Sequence, residues 1–249
     1  MKCSSVAIVL AIAGAAATSG YAAAQAVMAV RPSATSVPAS LLRLSIVFAR
    51  PQTQPVIPRL ELLRDDGTMV DAPFDPQELW SPDGLTLTVL LQPGRVKTGL
   101  VAHNTLGRAL IAGEHVRLMF RNREIASWNV TSSNSTPPVP DRWKVAPPRA
   151  GTRATLSVRL DKPIDAMDRD LVAIATADGR RVTGKVTLSH GETQWSLVPR
   201  APWRPGPYEV VVNAELEDSS GNRVGERFEH PATTNEDLPR DTVIPFHIR

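Results

Sequence analysis

Apolar and polar positions along this chain follow a period of two. Leu42, Leu44, Ile46 and Phe48 interleave with Arg43, Ser45, Val47 and Ala49; Leu156, Val158 and Leu160 interleave with Thr155, Ser157 and Arg159. Such a period puts alternate side chains on one face of a strand, so each run predicts a strand with one buried face. Both runs stop at a proline, Pro51 or Pro163, which has no N–H for a sheet ladder. Leu60 and Leu62, then Val172 and Ile174, predict the next strands. These lead into Asp66-Gly67 and Asp178-Gly179, a hairpin dipeptide because Gly accepts positive φ and Asp bonds its own backbone. Further strands are expected at Leu85 to Leu91 after Asp83-Gly84, at Gln194 to Leu197 after His190-Gly191, around Val116 and Phe120, around Tyr208 and Val212, and over 243–248. Only residues 106–112 read as a short helix. Many short strands with turn signals roughly every 8–12 residues predict an all-β sandwich.

The pattern occurs twice. Leu44 matches Leu156, Pro51 matches Pro163, Asp66-Gly67 matches Asp178-Gly179 and Val70 matches Val182, all at an offset of 112 (156−44, 163−51, 182−70). A constant offset marks an internal duplication. Between the copies, residues 131–140 (TSSNSTPPVP) are too polar and proline-rich to bury a face, and predict a semi-rigid spacer with the copies end to end.

The N-terminus has Lys2, an apolar run from Val6 to Ala17, and small residues around Ala22 to Ala26, which reads as a secretory signal peptide with cleavage near Gln25 or Val27. Cys3, the one cysteine, precedes the apolar run and would be discarded, so the mature chain relies on hydrophobic cores without disulfides. The expected division is a signal peptide over 1–26, a first domain over 27–130 with an extra loop at 92–110, a linker over 131–141, and a second domain over 142–249. Two domains of roughly 100 residues are each large enough to bury a core.

The second copy has three further runs: WSLVP at 195–199, WRPGPYEVVV at 203–212 and LEDSSGNRV at 216–224. With the opening strand that ends at Leu160 to Pro163, these resemble the bacterial Ig-like domains of S-layer proteins. That family shows an apolar opening strand ending in proline, a late "L-x-P-G-x-x-Y-x-V" strand and a "D-x-x-G-N" turn, here Asp218 to Asn222. Leu160 replaces the family's aromatic, and one residue is missing before Tyr208. The resemblance covers residues 150–228; the first copy keeps the opening strand, Ser45 to Pro51, but lacks the Asp-Gly-Asn turn. It implies two tandem Ig-like β-sandwich domains, export, and a spacer, adhesion or accessory role. It supplies no catalytic residue.

Composition narrows the chemistry. The net charge is +3, from 28 basic and 25 acidic residues, mixed along the chain without a basic stripe. Nucleic-acid binding needs clustered Lys and Arg, so it is not expected. There is no Gly-x-Ser-x-Gly elbow, and His103, His115, His190, His230 and His247 are scattered without ligand spacing. The reading is therefore a non-enzymatic module with no cofactor and no metal, secreted or periplasmic, with no transmembrane segment in the mature chain. Its partner would be a protein or polysaccharide of the cell envelope.

Three alternatives stand beside it. Arg95, Lys97, His103, Asn104 and Arg108 make the extra loop basic, a candidate binding loop for a carbohydrate; the competing reading has Leu100, Leu106 and Leu110 packing beneath it to cover a sheet edge. A periplasmic copper sandwich would need an N-terminal histidine, and only Met28 is near. Asp218 with Glu215 and Glu217 could form a calcium turn, or Asp218 could cap its own turn. Trp195 reads as a core residue and Trp203 as lying just before a strand, while Trp128 and Trp143 flank the linker and would help set the interdomain angle. Asn129 and Asn134 each start an Asn-x-Thr triplet.

Overall fold

The structure is a computed structural model and describes residues 26–96, 106–225 and 240–249. Residues 1–25 of the expected signal peptide lie outside these, as do Lys97, Leu100, His103, Asn104 and His230.

The first half contains β1 (Val27–Arg31), β2 (Ser36–Pro38), β3 (Arg43–Phe48), β4 (Leu60–Arg64), β5 (Leu79–Trp80), β6 (Thr86–Leu90), β7 (His115–Phe120) and β8 (Arg123–Thr131). They form two sheets, β1-β3-β6-β5 and β2-β8-β7-β4. All pairs are antiparallel except β2 with β8. The chain leaves β1 for β2, and so changes sheets, at a cis Arg31–Pro32 bond.

The second half contains β9 (Lys144–Ala146), β10 (Leu156–Arg159), β11 (Val172–Thr176), β12 (Gly184–Ser189), β13 (Gln194–Pro199), β14 (Gly206–Val212) and β15 (Thr242–Ile248). Its sheets run β12-β13-β10-β9 and β11-β14-β15. Lettered A to G in chain order, these are D-E-B-A facing C-F-G, the wiring of an immunoglobulin constant-type sandwich. The first half has the same wiring with its opening strand split between the sheets. The fold is thus two Ig-like β-sandwiches in tandem.

The registers show how the copies diverged. Ile46 faces Leu87 where Val158 faces Trp195, and Leu62 faces Leu118 where Ile174 faces Val210. The offset is 112 for β3/β10 and β4/β11 (158−46, 174−62), 108 for β6/β13 (195−87) and 92 for β7/β14 (210−118). The last drop is the extra loop of the first half.

Each sandwich has its own core, as the alternation demands. Leu44, Ile46, Phe48, Leu87, Val89 and Leu118 fill the first; Leu156, Val158, Ile174, Trp195, Leu197 and Val210 fill the second. Trp195 is fully buried and satisfies its indole N–H on the carbonyl of Arg169 at 2.8 Å. Tyr208, near the start of β14, donates its hydroxyl to the carbonyl of Arg204 at 3.2 Å, the corner that ties strand F to the preceding loop. Its counterpart in the first half is Val116 (208−92), so that copy lacks the corner.

Three local expectations are corrected. Residues 107–112 are coil and turn, with Gly107 at φ +69; a single helical turn lies earlier, at Pro93–Val96. Trp128 and Trp143 do not bridge the copies: the first donates to the carbonyl of Pro32 and the second to the carboxylate of Asp161, each within its own sandwich. The linker is not a free spacer. Asn134 N–H donates to Ser40 Oγ at 2.9 Å, Val139 N–H donates to Asp161, and Lys162 donates to the carbonyl of Thr136.

Candidate functional site

Antiparallel wiring sends the loops after strands B, D and F of an Ig-like sandwich to one end. In the second sandwich these loops carry Lys162, Asp165 and Asp168, then Glu192, then Glu217 and Asp218, and each of the three loops meets the first sandwich. The junction has three polar hubs.

At the first, Glu192 is 1% exposed and held at φ +61 in the turn after β12. Its carboxylate accepts from Arg31 Nη1 at 2.7 Å, Ser33 N–H at 2.9 Å and Ser33 Oγ at 2.7 Å. The turn fits closely because Gly191 has no side chain: a Cβ there would lie 2.9 Å from that of Ala34, at a backbone φ of +62.

At the second hub Arg43, the polar neighbour of core residue Leu44, reaches across. Its Nε donates to Asp165 Oδ2 at 2.5 Å and its Nη2 to Glu217 Oε2 at 2.9 Å, with Asp168 at 3.8 Å. Arg223 donates to the other oxygen of Glu217. Burial alone would lower the Arg43 pKa, but Asp165, then Glu217 and Asp168, raise it above its ordinary value.

The third hub is Asp218, 1% exposed. Its Oδ1 accepts from Ser220 N–H at 2.8 Å and Asn222 N–H at 3.0 Å, and Gly221 turns the chain at φ +77. Its Oδ2 faces the Lys162 ammonium and Asn134. The turn-capping reading of Asp218 fits this geometry, and a lysine stands where a calcium ion would have to sit. Ser220 Oγ meets Ser40 Oγ at 2.8 Å, and Leu42 N–H donates to the carbonyl of Ser219 at 3.0 Å, so a main-chain bond also crosses the junction.

These groups enclose a cavity of about 10 Å³ lined by Arg31, Arg43, Asp165 and Glu192, room for about one water molecule. The arrangement holds two bodies together. Among the described residues no group of three or more His, Cys, Asp or Glu is placed to hold a metal ion.

Asp168 makes the junction pH-sensitive. Burial pushes its carboxyl up to about 6, reinforced by Asp165 and Glu217 and opposed by the Glu217 N–H and Arg43. A raised carboxyl keeps its proton in the folded state at pH values where the unfolded chain has lost it. Its contribution to stability therefore falls as pH rises from about 4 to about 6 and is level above. Asp168→Asn keeps an acceptor for the Glu217 N–H and removes the titration. At pH 7 it is expected to gain about 1–2 kcal/mol over the parent after discounting for partial exposure, and nothing at pH 4. Paired urea titrations at the two pH values check this; an equal difference at both would show that Asp168 does not titrate in that range.

Of the expected binding-loop residues, Arg95 and Arg108 are among the described ones. Arg95 is 3% exposed and points inward, its guanidinium donating to the carbonyls of Gly107, Asp71 and Arg108. Burial lowers its pKa. It is a strut under the loop and is not offered to a ligand. Arg108 is half-buried and donates to Ser133 Oγ at 2.9 Å. Leu110 is buried beneath the loop while Leu106 is 43% exposed.

No protein-family model matches the chain, and no curated protein matches it. It is distantly similar in fold to an L,D-transpeptidase from Mycobacterium smegmatis (14% identity, 66% of this chain and 60% of that one, TM-score 0.26). It is also similar to SGBP-B from a xyloglucan utilization locus of Bacteroides uniformis (16%, 74% and 44%, TM-score 0.26) and to domains 4–9 of the surface layer protein SbsC (9%, 90% and 31%, TM-score 0.23). The chain spans less than two thirds of the length of each. At these scores the likenesses say nothing of activity. No helix among the described residues is long and apolar enough to cross a membrane.

Arg31, Arg43, Asp165 and Glu192 belong to a site that sequence patterns did not mark, since each sits at an ordinary polar position of a strand or turn; Glu217 was marked only as a calcium-turn candidate. The available signal was indirect: once Ig-like wiring is assumed, the loops after B, D and F share one end, and in the second copy those loops hold most of its carboxylates.

Proposed function

We propose that this protein is an exported, non-enzymatic module of the cell envelope whose two Ig-like sandwiches hold a fixed angle and present or space a binding surface. The observation that carries the reading is the junction. Three loops of one sandwich grip the other through buried, hydrogen-bonded ion pairs. Buried pairs contribute little net stability against an apolar alternative, but their directional geometry allows few relative orientations of the two bodies. A tandem that merely linked two independent domains would not need Arg43 to satisfy two carboxylates at once. The apolar N-terminal run supports export.

Fractionation of cells producing the full chain, followed by in situ crosslinking, tests the proposal. The expected product begins near Gln25 or Val27, lies outside the cytoplasm and crosslinks to an envelope protein or polysaccharide. An uncleaved cytoplasmic chain, or a purified protein that turns over a substrate, would overturn it.

A further inference from the structure

Beyond that reading, and independently of the junction, the opposite end of the second sandwich has its own chemistry. Four segments lie there: 147–155 after β9, 177–183 after β11, 199–205 around the end of β13, and 247–249 at the end of β15; the Arg200 N–H donates to the carbonyl of Thr183 at 2.9 Å. Main-chain bonds join them into one surface. Gly151 N–H donates to Trp203 O and Trp203 N–H to Thr152 O, both at 2.8 Å, and Ala150 N–H donates to Arg249 O at 2.8 Å. This surface carries Arg149, Arg153, Arg200, Arg204 and Arg249, all exposed, with exposed His247. Its one acidic residue, Asp178, is paired with Arg180 at 3.0 Å, and the three other segments contain none.

None of these five arginines is in an ion pair among the described residues, and only Arg153 spends a side-chain donor, on the carbonyl of Pro199. Five carboxylates of the same sandwich, Asp165, Asp168, Glu192, Glu217 and Asp218, lie at the junction end and are paired or hydrogen-bonded there. The second sandwich is therefore electrically polarised along its length. Five like charges on one small face repel one another, and the fold leaves them uncompensated; an external anion relieves that cost.

The basic residues on these segments are arginines, not lysines. A guanidinium offers a planar fork that fits carboxylate or phosphate oxygens with two parallel bonds. Arg149, His247 and Arg249, with Pro147 and Pro148, also line an open cleft of about 470 Å³, within the range of sites for small ligands or single sugar residues. Of the aromatic residues of this end, Trp203 and Tyr208 are buried, and Phe246 is half-buried and stacked on Tyr208. They give no platform for stacking unpaired bases, and the exposed Pro147, Ala201 and Pro202 give little apolar surface for insertion into a membrane.

We infer that this arginine face is a binding site for an acidic polysaccharide, one bearing repeated carboxylate or phosphate groups, with one acidic sugar seated in the Arg149–His247–Arg249 cleft. Retention of the full chain on immobilised polygalacturonate and on dextran phosphate, with neutral dextran as blank, tests it. The two charged matrices distinguish carboxylate from phosphate recognition. Binding to at least one is expected, weakening as salt rises from 50 to 200 mM. The triple variant Arg149→Ser, Arg204→Ser, Arg249→Ser is expected to bind at least about tenfold more weakly with an unchanged melting temperature, because all three side chains are exposed. The control Arg50→Ser, Arg123→Ser, Arg240→Ser removes the same charge elsewhere and should bind like the parent. Equal losses in both variants would reduce the effect to net charge and overturn the site, as would no binding to either polymer. Tighter binding to duplex DNA or anionic vesicles than to both polymers would overturn the class of ligand. Arg43→Met should leave binding intact, which separates this inference from the fixed-angle proposal.

Discussion

Arg43→Met is expected to destabilise the protein by about 2–4 kcal/mol. Methionine keeps most of the packing against β3 but removes the guanidinium that satisfies Asp165 and Glu217, 6% and 18% exposed in their side chains. The loss arises because Asp165 remains buried without its cation and Glu217 keeps only Arg223; the net value of the ion pair itself is smaller. Arg43→Lys restores charge but cannot reach Asp165 and Glu217 in a fork, and should recover about half of the loss. The double variant Arg43→Met, Asp165→Asn should lose less than the sum of its singles, since the second change removes the stranded charge. Urea titration of the four proteins measures this. Strict additivity would mean the two side chains do not interact in solution.

Lys162→Met is the second large effect, about 3 kcal/mol. Lys162 is 13% exposed and Asp218 2% exposed, so the pair is more enclosed than that of Arg43. The cost is held down by the N–H groups of Ser220 and Asn222 and the Asn222 amide, which still bond the Asp218 carboxylate. Lys162 also donates to the carbonyl of Thr136, so its loss should loosen the linker: amide exchange at Thr136 and Val139 should speed up in the variant. Asp218→Asn in the same chain should recover part of the stability. If calorimetry showed Lys162→Met melting within a degree of the parent, the ammonium would not be neutralising a buried charge.

The fold was readable from sequence because sandwich strands advertise themselves. Leu44, Ile46 and Phe48 alternate so strictly that both the strand and its buried face follow. Asp66-Gly67 and Asp178-Gly179 mark turns whose Gly67 and Gly179 do take positive φ, +83 and +77. The duplication was visible only while the offset stayed at 112; the extra loop moves it to 92 and hides the kinship of β7 with β14.

The junction was not readable in the same way. Arg43 obeys the polar phase of its strand, and nothing local says that its tip ends in another sandwich. Arg95 shows the converse: in a run containing Arg95, Lys97 and Arg108 it looks like part of a basic surface, yet its guanidinium turns inward to the carbonyls of Asp71, Gly107 and Arg108. The arginine face escaped notice because Arg149, Arg204 and Arg249 are far apart in sequence and become neighbours only when the loops after A and E meet the end of G. Charge clustering is a property of the folded surface, and scanning for runs along the chain cannot detect it.

The central claim is that buried polar hubs fix two Ig-like sandwiches at one angle. ¹⁵N relaxation and residual dipolar couplings on the chain from residue 26 test it most directly. Both sandwiches should report one rotational correlation time and one alignment tensor at pH 7, and Arg43→Met should separate them. Different correlation times or tensors for the two sandwiches in the unaltered protein would contradict the account.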